Sequence, residues 1–186
     1  MHRGDEVSSA IQIRNLQTLG DREIQGLSDV LIDCVEGGTS VSFMLPMSRG
    51  KAAAYWHDIA ASVARGERLV LAAEDATGAI VGTVQVVLAQ TENQAHRADL
   101  AKMLVPRRVR RRGVGAALLA AAESSAPRAG KTLLVLDTAS ADVERLYARQ
   151  GWQLCGQIPN YALCPDGAPC AITIYSKPLH DCPKGS

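Results

Sequence analysis

The chain has 186 residues, of which 47% are apolar and 21% charged, with a formal net charge of +1. That composition supports a full buried core and excludes a disordered segment or a disulfide-held miniprotein. Near-neutrality argues against a broadly basic nucleic-acid binder, and no apolar run reaches the roughly 20 residues needed to cross a bilayer.

Residues 1–6 are polar and no apolar signal core follows them, so the expected location is cytoplasmic. Ile11-Gln12-Ile13 predicts a short first strand. Residues 19–35 predict a helix, because Ile24, Leu27, Leu31 and Cys34 fall on one face and Gly37-Gly38 ends the run. After a loop over residues 39–46, a second helix begins near Met47 or Ser48 and closes at Gly66. Its Tyr55 and Trp56 read as packing residues. Residues 69–73 and 80–88 predict a hairpin about the turn Asp75-Ala76-Thr77-Gly78. A strand over 98–105 leads through glycines into a helix over 114–124. A buried strand over 132–136 and a helix over 141–150 follow, the latter closed by Gly151. Strands over 152–158 and 171–177 end the chain, separated by a loop containing Pro165-Asp166-Gly167. This order predicts one α+β domain over residues 1–186, built on a mixed sheet.

The five cysteines are an odd number without a CxxC pair, and they read as ordinary thiols. Cys164, Cys170, His180 and Cys182 match no zinc spacing, so no metal is expected.

The chemistry-bearing feature is the junction after Val105-Pro106. A helix start offers unpaired amide donors and a positive dipole end, and glycine lets an anion approach the backbone. Here Gly113-Val114-Gly115 opens the helix, with Arg107, Arg108, Arg110, Arg111 and Arg112 just before it. The pattern is neither GxxxxGK[ST] nor GxGxxG, since the third glycine position is Leu118. From these residues alone, a shaped turn or a small nucleic-acid patch stays open.

Two motifs carry a resemblance. Arg110-Arg111-Arg112-Gly113-Val114-Gly115 follows a strand ending Lys102-Met103-Leu104-Val105, and Leu146-Tyr147-Ala148-Arg149-Gln150-Gly151-Trp152 comes later. In this order they resemble the GCN5-related N-acetyltransferases (GNAT). Residues 35–44, Leu136-Asp137-Thr138 and Pro165-Asp166-Gly167 further resemble the tabtoxin resistance group, which detoxifies an amino-acid-like β-lactam. The resemblance implies a mostly antiparallel sheet splayed at an acetyl-CoA site, and direct transfer without an acyl-enzyme. It implies that backbone amides of Met103, Leu104 and Val105 contact pantetheine and the thioester carbonyl. Arg110 belongs to the same motif, and the amides of Arg111, Arg112, Gly113, Val114, Gly115 and Ala116 would receive the pyrophosphate. Tyr147 corresponds to a tyrosine near the sulfur, whose phenol protonates the leaving thiolate. Ser140 stands where the family often has a cofactor-binding asparagine.

The base must come from the residues themselves. Asp99 and Asp137 lie on strands expected to be neighbours, and either carboxylate, converging on the splay, would attract an ammonium and accept its proton. Each also has a plain reading as a cap or turn acid, and Tyr147 as a core residue. Glu36 is a weaker candidate for holding a cationic substrate. His57 lies in a helix and His96 near a turn, close to Asp99. The expected activity is acetylation of a small-molecule amine, an antibiotic or amino-acid-like toxin, by a monomer or homodimer without nucleic-acid or membrane partners. Protein N-terminal or lysine acetylation, and a non-catalytic acyl-CoA or RNA-binding module, remain as alternatives.

Overall fold

The computed structural model describes residues 11–179, and His2, His180 and Cys182 lie outside them. The strands are Gln12–Asn15 (β1), Arg68–Glu74 (β2), Ile80–Val87 (β3), Arg97–Leu104 (β4), Leu133–Thr138 (β5), Gln153–Leu163 (β6) and Pro169–Pro178 (β7). The helices are Asp21–Glu36 (α1), Arg49–Ala64 (α2), Val114–Ser125 (α3) and Ala141–Arg149 (α4). The strands form one sheet in the order β1-β2-β3-β4-β5-β7-β6. Only the β4–β5 pair is parallel. This is the mixed, mostly antiparallel α+β architecture expected.

Residues 69–73 of β2 are apolar without alternation because both faces of the strand are covered. Its Leu71 and Ala73 enter the core beneath α3, while Val70 and Ala72 enter the core beneath α1 and α2. A strand covered on both faces loses the polar alternation of a half-exposed one. The helices supply matching stripes, Leu27, Leu31 and Trp56 on one side and Val114, Leu118 and Leu119 on the other.

One polar network crosses the α2 side of the sheet. Gln85 is fully buried on β3. Its Oε1 accepts from Arg68 Nη1 at 2.6 Å, and its Nε2 donates to Tyr55 Oη at 3.0 Å. Tyr55 packs edge-on against Phe43, with ring centroids 5.1 Å apart.

The last two strands are longer than the sequence predicts. β6 and β7 pair along most of their length, and Cys164-Pro165-Asp166-Gly167 is a tight turn between them. Gln157, Pro159 and Asn160 break the apolar alternation of β6, and Asn160 has φ of +53°. The register shifts between Ile158 and Ala162. Cross-strand hydrogen bonding to β7 overrides these poor local preferences.

The feature that shapes the site lies in β4. Thr83 opposes Leu104 and Gln85 opposes Ala101, so three steps along β4 face two along β3. The extra residue makes a bulge, with Lys102 at φ +51°. Bulges bend a strand and end pairing. Accordingly β4 and β5 pair only over Arg97–Asp99 with Leu133–Val135. β5 then stays with β7 up to Thr138, and the two central strands part.

Arg68→Met should lower stability by about 1–3 kcal/mol, because it leaves the buried Gln85 carbonyl unpaired. A thermal midpoint unchanged to within about 1 °C would show that the network contributes nothing.

Candidate active site

The chain leaving β4 turns through Arg107–Val109, a single 3-10 turn, before α3 begins. Gly113 precedes α3 with φ of +81°. That left-handed geometry suits glycine, and a Cβ there would meet nothing within 4 Å. The first helical bond of α3 runs from Ala117 N–H to Gly113 C=O at 3.0 Å. The N–H groups of Val114, Gly115 and Ala116 therefore lack helical acceptors at the positive end of the dipole. Ala116 and Gly115 are only partly covered. Unpaired amides at the positive end of a helix dipole suit an anion.

The arginines divide by task, which differs from a uniform basic cluster. The backbone N–H of Arg107 donates to Asp33 Oδ2 at 2.8 Å, and its Nε and Nη2 donate to Oδ1 at 3.1 and 3.0 Å. Arg110 donates to the Val105 carbonyl at 3.1 Å and to Thr39 Oγ1 at 3.2 Å. These two side chains fasten the loop to α1 and to the loop after it. Arg108 lies in a separate hollow with Asp33 and Glu74, between α1 and the β2–β3 turn. Arg111 and Arg112 stay exposed beside the helix start. Arg111 holds a left-handed φ of +63°. Partial burial raises the pKa of Asp33, but the N–H and guanidinium of Arg107 and the charge of Arg110 outweigh it, holding the carboxyl below its ordinary range.

Where β4 and β5 part, a cleft of about 710 Å³ opens. Residues 100–103 of β4 and residues 137–140, at the end of β5 and just beyond it, form its floor. The α1–α2 loop forms one wall and residues 161–164 of the β6–β7 hairpin the other. The two walls touch: Leu45 N–H donates to Pro165 C=O at 2.9 Å, and Ser40 Oγ to Leu163 C=O at 3.4 Å.

Tyr147 of α4 lines this cleft and is only 3% exposed. Its ring packs against Trp152 and Tyr175, each centroid 5.7 Å away. Burial, reinforced by the negative charge of Asp137, pushes its phenol well above the ordinary tyrosine value. It therefore stays protonated throughout the neutral range. Asp137 projects from the end of β5 into the same cleft, with Ser140 and Met103 nearby on its lining. The Leu104 side chain is buried in the α1–α2 core, which leaves its backbone alone for a ligand.

Asp99 is not brought to this place. It pairs with Val135 on the closed side of the divergence. There it forms an ion pair with Arg97 and accepts from Gln90 Nε2 at 3.0 Å. Adjacency of the two strands was expected, but the acids fall two steps apart along the register, one before the split and one beyond it. Glu36 is exposed at the end of α1, close enough to raise the pKa of Arg107, and does not line the cleft. Neither His57 nor His96 lines it.

Lys102 is the cleft residue that sequence reasoning missed. Its Nζ donates to Ser42 Oγ at 3.1 Å, and burial lowers its pKa although Asp137 acts against that. A lysine interrupting the apolar run Ala101-Lys102-Met103-Leu104 was the available signal.

The two sequence motifs also touch. A Cβ on Gly115 would lie 3.3 Å from Leu146 Cδ2, so glycine here serves the packing of α4 on α3. Trp152 Nε1 donates to Glu123 Oε1 at 2.8 Å, tying the end of the second motif to α3.

The open, mostly antiparallel sheet with flanking helices is the fold of the GNAT acetyltransferases. Residues 42–152 match the model of the acetyltransferase (GNAT) family, and the chain belongs to that family. Its members take the acetyl group from acetyl-CoA, which makes this chain an acetyl-CoA-dependent N-acetyltransferase. Among solved structures it is similar to a ribosomal-protein-alanine N-acetyltransferase from Brucella melitensis. The identity is 22%, the TM-score 0.77, and 90% of this chain and 99% of that one are covered. An acetyltransferase structure from Salmonella typhimurium, holding acetyl-CoA, matches at 18% identity and TM-score 0.74, covering 96% and 99%. A structure named for phosphinothricin N-acetylation matches at 17% and 0.74, covering 92% and 99%. Among the described residues no helix is long and apolar enough to cross a membrane.

Asp33→Asn should destabilise the protein at neutral pH by about 1 kcal/mol, a charged bond discounted for its partial exposure. Because the folded-state pKa of Asp33 is depressed, this contribution is present above the ordinary carboxylate range and fades as pH falls below it. Thermal midpoints of the two proteins should therefore converge in acid. A constant difference down to the acid limit would remove Asp33 as the anchor.

Proposed function

We propose that the chain acetylates the amine of a small-molecule acceptor, with antibiotics and amino-acid-like toxins as the first compounds to examine. The observation that carries this is the contact between the cleft walls. Leu45 bonds to Pro165 and Ser40 to Leu163, so the α1–α2 loop and the hairpin bridge over the gap. A bridged cleft suits a compact acceptor better than an extended peptide. Protein acetylation is the second reading, favoured by the name of the Brucella melitensis neighbour.

Acetyl-CoA supplies the acetyl group as a thioester. On the donor side, Val114, Gly115 and Ala116 offer amide hydrogens suited to the pyrophosphate, with Arg111 and Arg112 adding charge at the exposed rim. The β4 backbone beyond Asp99 lacks a β5 partner, so residues 103–105 offer main-chain donors to the pantetheine arm and the carbonyl oxygen. Ser140, which lines the cleft, is the candidate replacement for the family asparagine. On the acceptor side, the Asp137 carboxylate attracts the ammonium and takes up its proton, directly or through water, freeing the nitrogen lone pair for the carbonyl carbon. Tyr147 holds a proton for the departing thiolate, since burial keeps the phenol neutral.

Thiol release from acetyl-CoA, followed across a panel of small amines, amino acids, antibiotics and peptides, tests the function. Release with small amines and little with peptides is expected. Turnover confined to peptides would establish the second reading instead. Asp137→Asn and Tyr147→Phe should each lower kcat by roughly 10²–10⁴-fold, the usual scale of general acid–base catalysis, with CoA affinity retained. Equal loss of turnover and affinity would mark them as structural. Gly113→Asp should abolish CoA binding in calorimetry, because it sets bulk and negative charge at the helix start; unchanged affinity would refute the loop assignment.

A further inference from the structure

We propose that Lys102 recognises the acceptor, selecting amines that carry a carboxylate a few bonds from the reacting nitrogen. This rests on the small-amine function above and adds to it the charge of the substrate and the residue that reads it.

Lys102 is held in place with unusual care. It is the bulge residue of β4, at φ +51°, and its hydrogen-bond partner Ser42 stands at φ +71°. Both ends of the 3.1 Å contact are therefore non-glycine residues in left-handed backbone. Such strain is retained where the surrounding structure enforces it, and it gathers at binding sites. Nζ also lies 5.8 Å from the centre of the Phe43 ring. Phe43 rests edge-on against Tyr55, Tyr55 is bonded to Gln85, and Gln85 to Arg68. A continuous chain of fixed contacts thus leads from a buried network to one ammonium group.

The charge of that group is left open. Ser42 is a neutral acceptor, and an ammonium has three hydrogens to give. Asp137 is close enough to act on Lys102 electrostatically, yet among the described residues the two form no ion pair. Lys51 Nζ lies 5.8 Å from the centre of the same Phe43 ring but does not line the cleft. The acceptor end therefore has a cationic point at Lys102 and an anionic point at Asp137. A cation partly withdrawn from water with no counter-ion in contact is costly. A molecule with an ammonium for Asp137 and a carboxylate for Lys102 neutralises both at once. The donor phosphates have their own place at the α3 start, whereas Lys102 is turned toward Ser42 and Phe43 of the opposite loop.

The test uses matched acceptors: amino acids beside their amides and their decarboxylated amines, assayed by thiol release. The wild-type protein should favour the acids in kcat/KM by roughly 10- to 100-fold, the scale of one charge-assisted hydrogen bond. Lys102→Met should erase most of that preference, chiefly through KM for the acid, and Lys102→Arg should restore it. Calorimetry should find CoA affinity in Lys102→Met within about threefold of wild type. Three results would overturn the proposal: no preference for acids in the wild type, an equal loss for acids and amides in Lys102→Met, or loss of CoA affinity in that variant. In the first two, acetylation of small amines still stands. If no small amine is turned over while CoA binds, the function and the proposal fall together.

Discussion

The parting of β4 from β5 is the constraint on which everything else depends. A parallel pair inside a sheet normally satisfies its backbone along the full length of both strands. Here the pairing stops after Asp99 and Val135, because an extra residue at Lys102 bends β4 while β7 holds β5 on course. Backbone groups that a sheet would consume are thereby released, and they face a gap wide enough for a ligand. The gap is also where Asp137 and Tyr147 meet, since one ends β5 and the other projects from the helix that follows it. The bulge, the end of pairing and the cleft thus fall at one place in the sheet.

The loop beyond β4 must then be held still, because an anion site made of backbone is only as exact as the backbone. The Asp33–Arg107 and Arg110–Thr39 contacts do this from the end of α1 and the loop that follows it. Arginine suits the task because its planar fork reaches two acceptors in fixed geometry. The result is a division of labour that a run of five arginines conceals. Some of the positive charge locks the loop in shape, and the exposed remainder is free to meet phosphate.

Much of the fold was legible because its signals are local. The faces of α1 and α2, the Asp75–Gly78 turn and the apolar run before Asp137 each declare their element within a few residues. The β6–β7 hairpin was less legible, because Pro159 and Asn160 spoil its pattern and only pairing with β7 makes the strand. The site divided in the same way. The glycines at the start of α3 and the tyrosine of α4 belong to short motifs. Asp99 and Asp137 looked equivalent in sequence, and only the register separates the closed end of the strand pair from the open one. Lys102 was hidden because a bulge is a mismatch between two strands, visible only when both are in view.

Gly115 and Leu146 sit thirty-one positions apart, one in each motif, and a Cβ on the first would lie 3.3 Å from Cδ2 of the second. The two motifs are therefore not independent words. A side chain at 115 would press on the leucine, which would have to give by a few tenths of an ångström. Segments far apart along the chain are thus brought to one seam, where the helix of the second motif rests on the helix of the first.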